Sequence, residues 1–280
     1  MIEGLKALSA VAALDLADVR RSRWVVFCIG IYALLAAIFI LVGLRESSVL
    51  GYTGAGRTLI SFAHALLFLL PLLALVATGQ VITRARDDGS LELLFSHPIP
   101  RWAYFSGIAL VRYCALTLPL VLLMIGIGVY GRLAHGQAIP WSFVLRCAAV
   151  SAALLWAFCG LGLLVSAVAK NSTKSTIATL SIWVLGVALL DLAVAGMMLK
   201  WRINAKAVFI LSALNPVQSA RMALLSAADP DLSALGPIGY YLVNRIGSAS
   251  LFAIGVIWPV VVGCLAWAAG LWRFYRRDAV

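Results

Sequence analysis

Charge is what this chain has least of. Only 12% of its 280 residues are Asp, Glu, Lys or Arg, and the acids number eleven. Soluble domains carry about 25% charged and about 45–50% apolar residues. Here the apolar share is 63% and mean hydropathy is +1.02, which excludes an ordinary soluble globule. The motifs of a catalyst are missing too. There is no GxxxxGKS/T loop to cradle nucleotide phosphates, no HExxH, no GxSxG and no paired acidic motif. The chain itself is therefore not read as an enzyme. A pore would need rings of like charge or a carbonyl-lined filter, and neither is visible. The five cysteines, Cys28, Cys114, Cys147, Cys159 and Cys264, make no CxxC or Cys/His zinc spacing. They read as small buried apolar residues, with no disulfide expected. Met124, Met197, Met198 and Met222 follow no MxxM spacing and read as packing. No metal site and no cofactor is expected in this chain.

What is present is a set of long apolar runs. A spanning helix needs about 20 mostly apolar residues. Six runs qualify, at about 24–44, 59–82, 104–130, 141–168, 175–198 and 250–272. They are far longer than the roughly ten-residue strands of an outer-membrane barrel, and an open sheet cannot satisfy its edges in lipid. The fold class is all-α polytopic with six transmembrane helices, as one transmembrane domain over 1–280. The first run is too long, and starts too late, for a cleavable signal peptide.

The formal charge of +11 does not point to nucleic acid. The cations gather at span ends. Lys6, Arg20, Arg21 and Arg23 precede the first run; Arg84, Arg86 and Arg101 follow the second; Lys170 and Lys174 follow the fourth; Arg273, Arg276 and Arg277 follow the sixth. The positive-inside rule then places both termini in the cytoplasm. The 199–249 segment runs against the rule, with Lys200, Arg202, Lys206, Arg221 and Arg245 on the outer side.

Residues 1–23 carry Ile2, Leu5, Leu8, Ala12, Leu16 and Val19 at helical spacing and end in Arg20-Arg21-Ser22-Arg23-Trp24. This fits an amphipathic helix, lying on the inner leaflet or packed on the protein itself. Pro71, Pro119 and Pro259 sit inside spans and can kink them. Gly126-Ile127-Gly128 and Gly160-Leu161-Gly162 permit close helix approach. In the outer segment, Asn215-Pro216 reads as a helix start, predicting a short helix over 217–225.

The most informative stretch lies between the second and third runs, within a cytoplasmic loop at 83–103. It reads Arg84-Ala85-Arg86-Asp87-Asp88-Gly89-Ser90-Leu91-Glu92-Leu93-Leu94-Phe95-Ser96-His97-Pro98-Ile99-Pro100-Arg101. We expect one amphipathic helix over 84–95, capped by Asp and Ser and stopped by the prolines. Leu91, Leu94 and Phe95 are the expected apolar anchors for a partner. Arg84, Arg86, Asp87, Asp88 and Glu92 would set the register by charge, around Gly89 and Ser90. An ordinary interfacial helix would not call for the Asp-Asp-Gly-Ser start.

Asp191 is the one acid deep in a predicted span, and a lone charge at the bilayer centre costs at least ~2.5 kcal/mol. At 1.5 Å per residue it lies ~6 Å from the outer face, as do Arg146 and His64 by the same count. An Asp191–Arg146 pair with His64 nearby is expected. Arg112 stops ~12 Å from the inner face and should snorkel or bond a neighbouring helix's carbonyls.

The Gly89-Ser90-Leu91-Glu92-Leu93-Leu94 core with its Pro98-Ile99-Pro100-Arg101 exit resembles the first intracellular loop of ABC-2 type permeases. It differs in Ser90 for Thr, Phe95 for Leu, and Asp87-Asp88 for the usual Glu. The approach at 16–24 resembles that family's amphipathic elbow, Leu214-Asn215-Pro216 its L-N-P, and Phe274-Tyr275-Arg276-Arg277-Asp278 its F-x-R-R-D ending. Within the family, length and layout are most similar to the NosY-type permeases. These belong to the Nos ABC transporter that serves copper-site maturation of nitrous oxide reductase. The resemblance implies a type V exporter-like permease fold in a bacterial inner membrane, as a homodimer. It implies two cytoplasmic ATPase subunits holding ATP and Mg, surrounding membrane lipid, and a periplasmic accessory protein on 199–249, met by Asn215, Pro216 and Arg221. An ABC-2 exporter of a lipid, drug or peptide is the alternative, and an ATP-independent carrier or scaffold a different class.

Overall fold

A computed structural model describes residues 2–50, 52–135, 141–189, 213–228 and 247–277, with side chains mainly over 4–38, 65–127, 141–187, 213–226 and 247–276. All regular structure among the described residues is helical. In chain order the helices are α1 Ile2–Arg21, α2 Arg23–Leu50, α3 Tyr52–Thr78, α4 Val81–Asp87, α5 Ser90–Phe95, α6 Arg101–His135, α7 Trp141–Val168, α8 Ser172–Trp183, α9 Pro216–Ala228 and α10 Ser248–Arg277. α8 runs on into a π-helical turn, Val184–Leu189.

Among the described residues, four stretches are long and apolar enough to cross a membrane: Ala65–Asp87, Arg101–Ile127, Trp141–Val168 and Ser248–Arg276. A fifth arises if Gly4–Arg21 and Arg23–Ile38, bent by 66° at Ser22, count as one. The four answer to the predicted runs at 59–82, 104–130, 141–168 and 250–272, and the bent pair takes in part of the run at 24–44 together with the helix expected before it. The remaining run, 175–198, is described only as far as Leu189, as α8 and its π turn. Pro71, Pro119 and Pro259 lie inside α3, α6 and α10 without breaking them.

α7 is the central helix. It packs against α3, α6, α9 and α10, and Leu154, Leu155, Phe158, Cys159 and Val150 form the middle of the main core. Its Gly160 and Gly162 do what their spacing promised. A Cβ on Gly160 would come within 2.5 Å of the Gly263 carbonyl oxygen of α10, and one on Gly162 would collide with the Thr78 hydroxyl of α3. Gly126 meets nothing within 4 Å among the described residues, and the surroundings of Gly128 lie outside them.

A smaller core lies at the end of the bundle that carries α5. There Phe105, Ile82, Phe274 and Ala167 are wholly buried together with Val11 of α1. Phe274 sits among Phe95, Tyr104 and Phe105, with ring centroids 5.8–6.0 Å away. Arg101 Nη1 donates to the Tyr275 carbonyl at 3.0 Å, so α6 starts where α10 ends. The aromatic of the Phe-Tyr-Arg-Arg ending is thus a plug beneath the α5 turn.

α9 belongs to the segment expected on the outer side of the membrane. The helix itself is present at Pro216–Ala228, with Asn215 Oδ1 accepting from the Val217 amide at 3.0 Å as its cap. Yet it packs against α3, α7 and α10, burying Val217, Ala220, Ala223 and Leu224. A Cβ on Gly255 would strike Ala223. Trp258 Nε1 donates to the Leu214 carbonyl at 2.8 Å. Trp258 lies ten residues into α10, about 15 Å along it. The stripe of small apolar residues at three- and four-residue steps draws α9 into the bundle, because it can bury its face only there.

Candidate functional site

The expected single helix over 84–95 is two. Gly89, at φ +71°, turns the chain left-handed after α4, with the Asp88 and Gly89 amides bonded back to Arg84 and Arg86 carbonyls. Gly is favoured there because it has no Cβ to clash. α4 is the continuation of α3 beyond a break at Gly79-Gln80, and only Ser90–Phe95 forms a separate helix. Neither Asp nor Ser caps it: Gly89 holds that position, and Ser90 Oγ donates back to the Ala85 carbonyl at 3.1 Å. The prolines do end it, the chain leaving α5 through Pro98 and Pro100.

Helix ends expose backbone groups that need partners. At this end of the bundle neighbouring helices supply them. Ser166 Oγ of α7 accepts from the Ile82 and Thr83 amides of α4 at 2.9 and 3.2 Å. Asp87 Oδ2 of α4 accepts from the Ser172 amide and hydroxyl at the start of α8, at 3.0 and 2.7 Å. An acid at a helix N-terminus also meets the favourable end of the dipole. Arg86 Nη1 donates to the Ala169 carbonyl at the end of α7 at 3.1 Å, the matching cation at a C-terminus. Gln80 Nε2 donates to Thr176 Oγ1 at 2.5 Å, and Ser175 Oγ donates to the Gly79 carbonyl. Asn171 caps α8 through the Lys174 amide at 2.9 Å. The α3–α4 break and the α7–α8 turn are therefore one cross-capped unit.

α5 stands on this unit with two unlike faces. Leu91 is 5% exposed and belongs to the small core, with Leu94 and Phe95 half-buried against it. These are the three residues expected to grip a partner, and they face inward. Three leucines and a phenylalanine in six residues cannot all lie on one helical face. Leu93, two positions past Leu91 and so on the opposite side, is 74% exposed. Sequence reasoning passed over it, although the 3.6-residue period alone separates it from Leu91, Leu94 and Phe95. Around it Asp88, Glu92, Ser96 and His97 are exposed, as is Arg84 on α4. Of the charged residues expected to set register, Arg84, Asp88 and Glu92 face out, while Arg86 and Asp87 are engaged within the chain.

The predicted intramembrane cluster is not assembled by the described residues. Asp191 and the side chain of His64 lie outside them. Arg146 is exposed and stacks 5.7 Å from the Phe252 ring. Arg112 has a stronger partner than foreseen. It does bond a neighbouring carbonyl, Ala77 of α3, at 3.1 Å. Its Nε and Nη2 also hold both oxygens of Asp15 on α1, at 3.2 and 2.9 Å, with Asp18 at 3.6 Å and the Trp24 ring at 5.8 Å. Asp15 and Arg112 are both buried. Asp15 sits on the Val11, Asp15, Val19 face of α1, all buried against the protein, while Leu5, Leu14 and Leu16 are exposed. A buried charge demands a partner, so an acid in line with buried valines was the signal that would have found this pair.

Of the residues expected to meet an outside partner, Asn215 is 8% exposed. Its Nδ2 donates to the Gly186 carbonyl of the π turn at 2.7 Å, so it is an internal tie between α8 and α9. Pro216 and Arg221 are half-buried. Among the described residues no three His, Cys, Asp or Glu side chains converge as metal ligands.

A sequence model of the ABC-2 family of transporter proteins matches residues 9–279. The chain is 26% identical over 271 residues to the "Probable ABC transporter permease protein NosY" of Stutzerimonas stutzeri, covering 92% of this chain and 95% of that one. It is also 26% identical over 269 residues to the protein of the same name from Pseudomonas aeruginosa, covering 94% and 96%.

Proposed function

The chain belongs to the ABC-2 family of transporter proteins, and on that premise we propose that the outward face of its α4–α5 turn seats a separate ATPase subunit. ATP and Mg would be held by that subunit, and this chain would carry the motion into the membrane. The observation that carries the reading is the cross-capping. A turn that must transmit force has to be rigid behind and exposed in front. Ser166, Asp87, Arg86 and Gln80 provide the first, and Asp88, Glu92, Leu93, Ser96 and His97 the second. A push on α5 would reach α3 through α4, α7 and α8 through the shared bonds, and α10 through Phe274.

The rest of the reading follows the family. Six spans, both termini in the cytoplasm of a bacterial inner membrane, and a homodimer with two ATPases make up the machine. α1 would lie as an elbow along the inner leaflet, its Leu5, Leu14 and Leu16 toward lipid. A periplasmic partner on the 199–249 segment, and service to copper-site maturation of nitrous oxide reductase, rest on the resemblance to the NosY-type permeases, the name the two relatives carry.

The test is recovery of the tagged chain from membranes in mild detergent, with a Glu92→Arg/Leu93→Asp variant beside it. A Walker-motif ATPase should accompany the parent and be lost from the variant, with the thermal midpoint of the chain unchanged. Absence of any such ATPase across several detergents overturns the coupling reading.

A further inference from the structure

Where α7 ends and α8 begins, the two helices border an open groove of about 510 Å³. Its walls are Leu164, Val165, Val168 and Ala178, and Lys170 and Lys174 border it at the turn. Both lysines are exposed, and neither is in an ion pair among the described residues. The acid closest to them in the hydrogen-bond network is Asp87, whose Oδ2 is already taken by the Ser172 amide and hydroxyl. Arg86, bonded to the Ala169 carbonyl in the lining, offsets the charge of Asp87 beside it, so the positive charge at the groove is that of the two lysines. The pattern is graded: apolar toward the spans, cationic toward the helix ends. A soluble anion has no use for the apolar walls, and a neutral amphiphile none for the uncompensated lysines.

We infer that this groove holds one anionic phospholipid from the leaflet at the α5 end. Its phosphate lies between Lys170 and Lys174, and the upper part of one acyl chain runs along Leu164, Val165, Val168 and Ala178. The rest of the molecule stays in the bilayer, since the groove takes only a headgroup and part of a chain. Such a lipid touches both helices joined by the Asp87–Ser172 bonds and braces the turn. That bracing matters for coupling only if the proposed function holds; the binding does not depend on it.

The test uses the purified full chain in mild detergent, with no ATPase present, so its outcome is separate from the ATPase recovery. Native mass spectrometry follows titration with dioleoyl phosphatidylglycerol, with dioleoyl phosphatidylcholine and glycerol 3-phosphate as comparators. The phosphatidylglycerol complex should exceed the phosphatidylcholine one. A Lys170→Gln/Lys174→Gln variant should weaken it on the order of tenfold or more, from two cations near a membrane surface. Lys170→Arg/Lys174→Arg should retain it, and Ala178→Trp should weaken it with every charge in place. Unchanged phosphatidylglycerol binding in the double Gln variant overturns the inference. So does equal binding of the two lipids, or equal competition by glycerol 3-phosphate, which would leave an anion site alone. If Ala178→Trp splits a dimer while lipid binding stays intact, a second copy fills the groove and the lipid assignment fails.

Discussion

The α5 end of the bundle and its middle are held by different means. At the α5 end, helix termini are satisfied by side chains of other helices: Ser166 on α4, Asp87 on α8, Arg86 on α7, and Arg112 gathering α1, α3 and α6. In the middle, α7, α9 and α10 meet through Gly160, Gly263, Gly255 and small apolar residues, with few polar ties. The first kind of contact is directional and costly to leave half-made in a low-dielectric setting. The second depends on shape alone and tolerates sliding so long as nothing protrudes. The comparison teaches that the α5 end is tied together by directional bonds between helix ends, while the middle is held by close-packed seams.

Breaking the comparison at its strongest point means removing Arg112. Arg112→Ala leaves Asp15 buried without its partner and should cost about 3–5 kcal/mol. The reading is a large fall in the thermal midpoint in detergent. Asp15→Asn/Arg112→Gln should recover part of the loss, and a double variant no better than Arg112→Ala would mean the pair is not what holds α1. Next comes Ser166→Ala, which strips the Ile82 and Thr83 amides of their shared acceptor and should cost about 1–3 kcal/mol. Hydrogen exchange should rise at those two amides and leave α9 unaffected.

The glycine seam is tested by overfilling rather than by deletion. Gly160→Leu should cost about 1–3 kcal/mol through the clash with Gly263. Its effect should fall on the α7–α10 contact, readable as faster proteolysis or cross-linking changes there, with the α4–α8 bonds intact. Asn215→Ala removes both the α9 cap and the bond to Gly186 and should cost about 0.5–2 kcal/mol. A neutral result would say that α9 is held by its apolar face alone. Smallest in stability is Leu93→Asp, an exposed change expected to stay within about 0.5 kcal/mol. It separates the two faces of α5, because the same substitution at Leu91 should destabilise the chain.

The sequence by itself determined the class and the rough positions of the long helices. Composition excludes a soluble fold, and run length with positive flanks locates four stretches that the structure also finds apolar and long enough to span, with a fifth if the bent pair at Ser22 counts as one. Local signals behaved as local signals: Asn215-Pro216 starts a helix, Pro98 and Pro100 follow the end of one, and Gly160-Leu161-Gly162 marks a close approach. The turn that carries the candidate site was also visible, though as one helix, because a propensity reading cannot tell whether Gly89 will continue a helix or take the left-handed turn. Only tertiary structure decided which way α5 faces, where α9 lodges, and that Arg112 would find Asp15. Asp15 and Arg112 are 97 positions apart, and Asp87 and Ser172 are 85. Composition and periodicity describe neighbours along the chain. Which helix end meets which donor depends on how all the helices bury their apolar faces at once.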